Sequence, residues 1–121
     1  MKTNITLLIT RIIFSLSMIT HGYPKLIKLV SENPSFGNPI GIGEIPTLIL
    51  AVFAEFIAPI FIVIGFKTRI FSFFPIATML VAAFIVHYDD PFKNKELALL
   101  YLAGFLIIFT IGPGKYSLDK R

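Results

Sequence analysis

Three observations on this 121-residue chain predict an all-α fold, a transmembrane four-helix bundle. First, 55% of residues are hydrophobic, only 15% are charged and 13 are phenylalanine, with a mean hydropathy of +0.82. Too few polar groups remain to solvate a globular surface. Second, the apolar residues fall into long runs that approach a bilayer span, which needs about 20 residues at roughly 1.5 Å each. Third, the runs lack the period-2 polar alternation of a transmembrane barrel. Helices remain, because a backbone in lipid must satisfy its own hydrogen bonds.

The first helix is predicted over about 5–23. A cleavable signal peptide competes for this run, since Lys2 precedes it and Ser15, Ser17 and Thr20 are small. Arg11 interrupts the apolar stretch, however, and no A-x-A-like site follows, so the run is read as a retained helix. An irregular outer loop follows, in which Pro34, Gly37, Pro39, Gly41, Gly43 and Pro46 prevent regular structure. Its first part, Lys25 to Val30, can extend the helix or lie at the interface. Gly41-Ile42-Gly43-Glu44 lacks the lysine and hydroxyl of a phosphate-binding loop. The remaining helices are predicted over 47–66, 70–88 and 96–111, the last short unless it borrows Glu96 or Gly112 at its ends. Pro59 and Pro75 each delete a helix hydrogen bond and are expected to kink the second and third helices, opening interior space. Residues 1–121 form a single membrane domain.

With four spans, the N-terminus, the Lys67–Arg69 turn and the tail share one side, together with Lys2, Lys67, Arg69, Lys115, Lys120 and Arg121. The other side holds Lys25, Lys28, Lys93 and Lys95, diluted by Glu32, Glu44, Asp89, Asp90 and Glu96. The count favours a multi-pass protein of the inner membrane with both termini in the cytoplasm. The net charge of +4 is scattered, so nucleic-acid binding has no footprint. With no cysteine, disulfides, thiolate metal sites, cysteine-ligated iron–sulfur clusters and a persulfide on this chain are ruled out.

The best functional clue is Arg11 and Glu55, charges inside apolar runs where such groups are rare. Arg11 lies roughly 16 Å below the outer end of its helix and Glu55 roughly 12 Å down from the same side, so a buried Arg11–Glu55 pair is expected, either as part of a site or as a static clamp between the first two helices. His21, Lys25 four residues later, His87 and Glu96 gather near the outer surface. Tyr101, about 7 Å below Glu96, can add a hydroxyl. Arg11, Glu55, His21 and His87 are the candidate catalytic residues, and Lys25, Glu96 and Tyr101 the candidate cofactor-binding ones. Such groups can hydrogen-bond the oxygens of a quinone and exchange protons with it. Two histidines without a local ligand spacing point to neither haem nor a metal centre. No nucleophile elbow is present.

The chain resembles the DoxX family of small bacterial four-helix membrane proteins. The resemblance rests on Arg11, His21-Gly22-x-x-Lys25, Glu55, Gly65-x-x-Thr68-Arg69, His87 before an acidic loop, the Glu96–Leu102 segment, and Gly112-Pro113-Gly114-Lys115-Tyr116-Ser117-Leu118-Asp119. It implies association with a thiosulfate:quinone oxidoreductase, with resistance to quinone and thiol stress, and with complexes of oxidative-stress enzymes. The first expectation is therefore a redox-associated membrane subunit, a quinone-linked oxidoreductase component embedded in lipid, with a soluble redox partner and self-association. Any sulfur would be carried by substrate or partner. The alternatives are a small-solute or proton transporter and a non-catalytic assembly subunit. In the tail, Ser117-Leu118-Asp119 is expected to fold back and cap a helix end, and Thr68 is a second candidate cap.

Overall fold

The apolar runs become four long helices: α1 (Lys2–Leu29), α2 (Glu44–Ile64), α3 (Thr68–Val86) and α4 (Phe92–Ile111). Each is long and apolar enough to cross a membrane, and no strand occurs among the described residues. This computed structural model describes residues 2–31, 34 and 36–119. Glu32, Lys120 and Arg121, which entered the charge balance above, lie outside them.

Two helices exceed their expected lengths. α1 continues through Pro24 to Leu29 rather than stopping at Tyr23. Near a helix end a proline sacrifices a single backbone bond, here to the Thr20 carbonyl, and the side chain of Lys25 then ties the extra turn to α2. α4 starts at Phe92, directly after Pro91 at φ −58°. It gains a turn ahead of Glu96 and spans 20 residues, so the fourth span needs no borrowed ends.

The interior between the helices is built from Met18, Ile62, Met79, Ala83, Ala98, Tyr101, Phe105 and Ile108. Two glycines set the spacing of α1. A side chain at Gly104 would overlap the ring of Phe14 on α1, and one at Gly22 would overlap the backbone of Glu55 on α2. Between α2 and α3, phenylalanines interlock: Phe61 stacks on Phe71 at 4.5 Å between ring centroids, and Phe53 meets Phe74 edge-on at 4.7 Å. Their attraction adds to the burial of large apolar rings.

Both α2 and α3 contain a π-helical turn, Phe53–Ile57 and Ala82–Val86. The first lies one residue ahead of Ala58-Pro59. The second lies seven residues beyond Pro75, so the irregularity of α3 is not located at its proline.

At the end of the bundle that carries the termini, the chain closes on itself. Leu118 N–H and Asp119 N–H donate to the carbonyls of Ile64 and Gly65, the latter at 2.9 Å. Lys115 N–H donates to Asn4 Oδ1 at 3.0 Å. The Asp119 carboxylate accepts from the N–H groups of Lys67 and Thr68 at 2.9 and 2.8 Å, capping the start of α3 as the tail sequence suggested. Thr68 does not cap; its hydroxyl is buried without a partner. The reversal is made at Gly112 and Gly114, with φ of 98° and 86°, conformations that side-chain-bearing residues rarely adopt.

Candidate functional site

The site is assembled around Glu55. Its residue lies in the first π turn, where Ala58 N–H reaches back to the Phe53 carbonyl; such turns insert one extra residue and shift the register of the side chains that follow. Pro59, four residues on, has no N–H to offer the Glu55 carbonyl. Gly22 packs against that same carbonyl. The close approach at Gly22 carries Lys25, one turn further along α1, onto the Glu55 side chain. The Lys25 ammonium donates to both carboxylate oxygens, at 2.7 and 2.5 Å. Glu55 keeps only 3% of its side chain exposed, and Lys25 keeps 30%. The motif His21-Gly22-x-x-Lys25 thus has a mechanical meaning: glycine sets the helix separation and lysine meets the acid.

This ion pair forms one wall of a cavity of about 370 Å³ at the loop end of the bundle. The other walls are mostly apolar and come from α2 and α3, through Ala51 and Ala54 on α2, and Phe74, Met79 and Ala82 on α3. His87, which ends the second π turn with its N–H on the Ala82 carbonyl at 3.0 Å, also lines it. Its Nδ1 lies 2.7 Å from Asp90 Oδ2, leaving Nε2 as the remaining ring nitrogen. The loop supplies the roof through Phe36, Pro39 and Ile40. The ammonium groups of Lys25 and Lys28 sit 5.7 and 5.8 Å from the Phe36 ring centre, within cation–π range. Phe36 N–H donates to Glu44 Oε1 at 3.2 Å, and Gly43 N–H to Asn38 Oδ1 at 2.8 Å, so the glycine-rich segment orders the loop and the start of α2.

The expected Arg11–Glu55 pair is not what forms. Arg11, fully buried, donates from Nε to the Pro113 carbonyl at 3.0 Å, from Nη1 to the Ile62 and Val63 carbonyls at 3.0 and 2.7 Å, and from Nη2 to the Tyr116 carbonyl. The two charges lie at different depths: α1 runs on to Leu29, so that Gly22 is the residue level with Glu55, and Arg11, 11 residues earlier and thus roughly 16 Å nearer the terminal end, sits beside the last turn of α2. A guanidinium can instead be satisfied by carbonyl oxygens converging from a helix C-terminus, where the helix dipole favours a cation. Arg11 therefore locks the tail under the bundle, and Glu55 takes Lys25.

The proposed ring of titratable groups also divides. Lys25, Glu55 and His87 share the cavity. His21 is exposed and lies edge-on against Tyr101 at 5.5 Å, while Tyr101 packs inside against Phe14 and Phe105; neither lines the cavity. Glu96 is exposed on the first turns of α4. Sequence reasoning missed Phe36 and Phe74 as walls and Asp90 as the partner of His87. The spacing His87-x-x-Asp90 was a readable signal for the last. Among the described residues no group of three or more His, Asp or Glu is arranged to hold a metal ion.

Chemically, the cavity offers a mostly apolar volume with polar groups confined to one part of its lining. An ammonium has three donors, two of which Glu55 takes, and one is left for a ligand oxygen. A small, mostly apolar molecule with a hydrogen-bond acceptor matches this division, as in most small-molecule sites.

Comparison with known proteins agrees with the architecture. The chain is 32% identical to inner membrane protein YphA of Escherichia coli (strain K12), over 97% of this chain and 90% of that protein. It is 27% identical to inner membrane protein YqjF of the same organism, over 97% and 92% respectively. No solved structure matches it. The DoxX family profile matches residues 6–88, which contain Gly22, Lys25, Glu55, His87 and all the helical walls of the cavity, and this integral membrane protein belongs to the DoxX family.

Proposed function

We propose that this protein binds a quinone or a similar small aromatic oxidant in the cavity beside Lys25, Glu55 and His87, as the membrane subunit of a redox system that includes a soluble partner. The observation that carries the reading is a buried carboxylate paired with a half-buried ammonium in the lining of a mostly apolar cavity. An ion pair placed there is expensive to desolvate, and a site that must orient a polar ring oxygen and keep a proton close by gives it a task. Lys25 holds and orients the oxygen, Glu55 holds the Lys25 ammonium in place, and His87, hydrogen-bonded to Asp90, offers a second polar group for proton exchange. Both termini face the cytoplasm in this reading, which places the cavity toward the outer leaflet.

Equilibrium titration of the purified protein with a benzoquinone tests this. Saturable binding is expected, weakened at least tenfold by Glu55→Gln and by Lys25→Met and unchanged by Glu96→Gln. Absence of saturable binding, or equal binding by all variants, would overturn it. Uptake of solute into proteoliposomes without any electron donor, abolished by Glu55→Gln, would favour transport instead.

A further inference from the structure

The cavity has a side that faces neither the loop nor the core. From the terminal end upward, α2 and α3 are closed against each other by the Phe61–Phe71 and Phe53–Phe74 ring contacts. Above the Phe53–Phe74 pair, the first part of α2 packs on α1 and on its own π turn, and the Ala82–Val86 turn packs on α3 and α4; the two do not pack closely on one another. The helices diverge there, and the cavity fills the gap. Leu50 of α2 and Val86 of α3 both line it and are 50% and 54% exposed. A residue that lines a cavity while half its surface faces outward marks the cavity's rim. Leu50 lies six residues along a membrane-spanning helix, roughly 9 Å below its start, which sets the α2 side of this rim among acyl chains, while Val86, the last residue of α3, marks its upper limit at the helix end.

We infer that the cavity opens laterally into the lipid between α2 and α3, and that its ligand is a tailed amphiphile whose head enters through this portal and whose tail stays in it. The inference rests on the reading that the cavity binds a small oxidant and narrows that ligand to a membrane-dissolved class. Phe74, met edge-on by Phe53, forms the sill, and Leu50 and Thr78, one turn above these two rings on each helix, form the jambs; the Phe36 loop roofs the cavity, and there Ile40, also in the lining and 46% exposed, marks a second edge on the loop side, open to a tail-less ligand. With its head at the Lys25–Glu55 pair, a tailed ligand keeps its tail in the apolar gap between the jambs, where it remains among lipid chains and costs no exposure of apolar surface to water.

The chain has no cysteine, so Leu50→Cys/Thr78→Cys can be joined selectively by a short bis-maleimide, with the unjoined variant as its control. Two probes are used in vesicles. The first is a long-chain alcohol with a photoactivatable diazirine beside its hydroxyl. It is expected to label Ala54, a buried wall residue, in the unjoined variant and to lose at least tenfold of that labelling once the portal is joined. No labelling of Ala54, or labelling unaffected by joining, would overturn the portal. The second is a benzoquinone with and without a long isoprenoid tail. Joining is expected to weaken binding of the tailed form at least tenfold while sparing the tail-less one; equal effects on both would also overturn the portal. If the unjoined protein binds neither quinone, the oxidant reading fails, and the diazirine labelling still decides whether the portal exists.

Discussion

The two ends of the bundle treat buried charge in opposite ways. At the terminal end, Arg11 spends its donors on four backbone carbonyls, Asp119 caps α3, and the tail is sealed against the helices. At the loop end, Lys25 and Glu55 meet side chain to side chain beside a cavity, and Lys25 stays partly exposed. A charge held by backbone carbonyls and fully buried is out of a ligand's reach and serves the fold. A charge held by another side chain can exchange its partner. The first arrangement is a clamp, and the second has the features of a site.

Breaking the clamp is expected to have the largest effect. Arg11→Leu removes four charge-assisted bonds and strands buried carbonyls, each bond worth about 1.5–3 kcal/mol, so a loss of more than about 5 kcal/mol and release of the tail are expected. Protease sensitivity of residues after Gly112, together with the unfolding midpoint in detergent, checks this. Arg11→Lys should recover only part, because an ammonium cannot match the planar fork.

At the loop end the expected losses are smaller and reversible. Lys25→Leu leaves the Glu55 carboxylate buried and unpaired, which costs about 3 kcal/mol, the low end for such a break, since Lys25 is partly exposed. Adding Glu55→Leu should restore most of that stability while ligand binding stays lost. Thermal unfolding of both variants, followed by quinone titration, separates the two outcomes. A double variant that is stable and still binds would show that the pair has no role in recognition.

Asp119→Ala should cost about 1 kcal/mol, the usual value of a helix cap, with no change in ligand binding. A loss of binding with intact unfolding behaviour would mean that the two ends communicate. Smallest of all, Glu96→Gln, on an exposed position of α4, should leave both stability and binding within error.

Much of this architecture was legible in the sequence, because composition and run length alone force helices in a bilayer. Arg11 and Glu55 stood out for the same reason, being charges where lipid tolerates few. Their partners were not legible. Depth is counted from a helix end, and ending the first helix near Tyr23 put Arg11 level with Glu55, whereas α1 runs on to Leu29 and it is Gly22 that lies at that level. The carbonyls that take Arg11 are supplied by the end of α2 and by a tail about a hundred residues away, and no pattern of side chains announces a backbone acceptor. The π turns at Phe53–Ile57 and Ala82–Val86 were equally hidden, since no residue signature marks them. Gly22 could have revealed the true pair: a glycine one turn before Lys25 on an apolar helix signals a close crossing, and Lys25 is the charge such a crossing delivers.

Two double-mutant cycles on unfolding free energy, Lys25/Glu55 and Arg11/Glu55, test most directly that the ion pair at the cavity and the clamp at the tail are separate devices. The account predicts a coupling of at least about 1 kcal/mol for Lys25 with Glu55, and additivity within about 0.5 kcal/mol for Arg11 with Glu55. Strong coupling between Arg11 and Glu55, with none to Lys25, would contradict it.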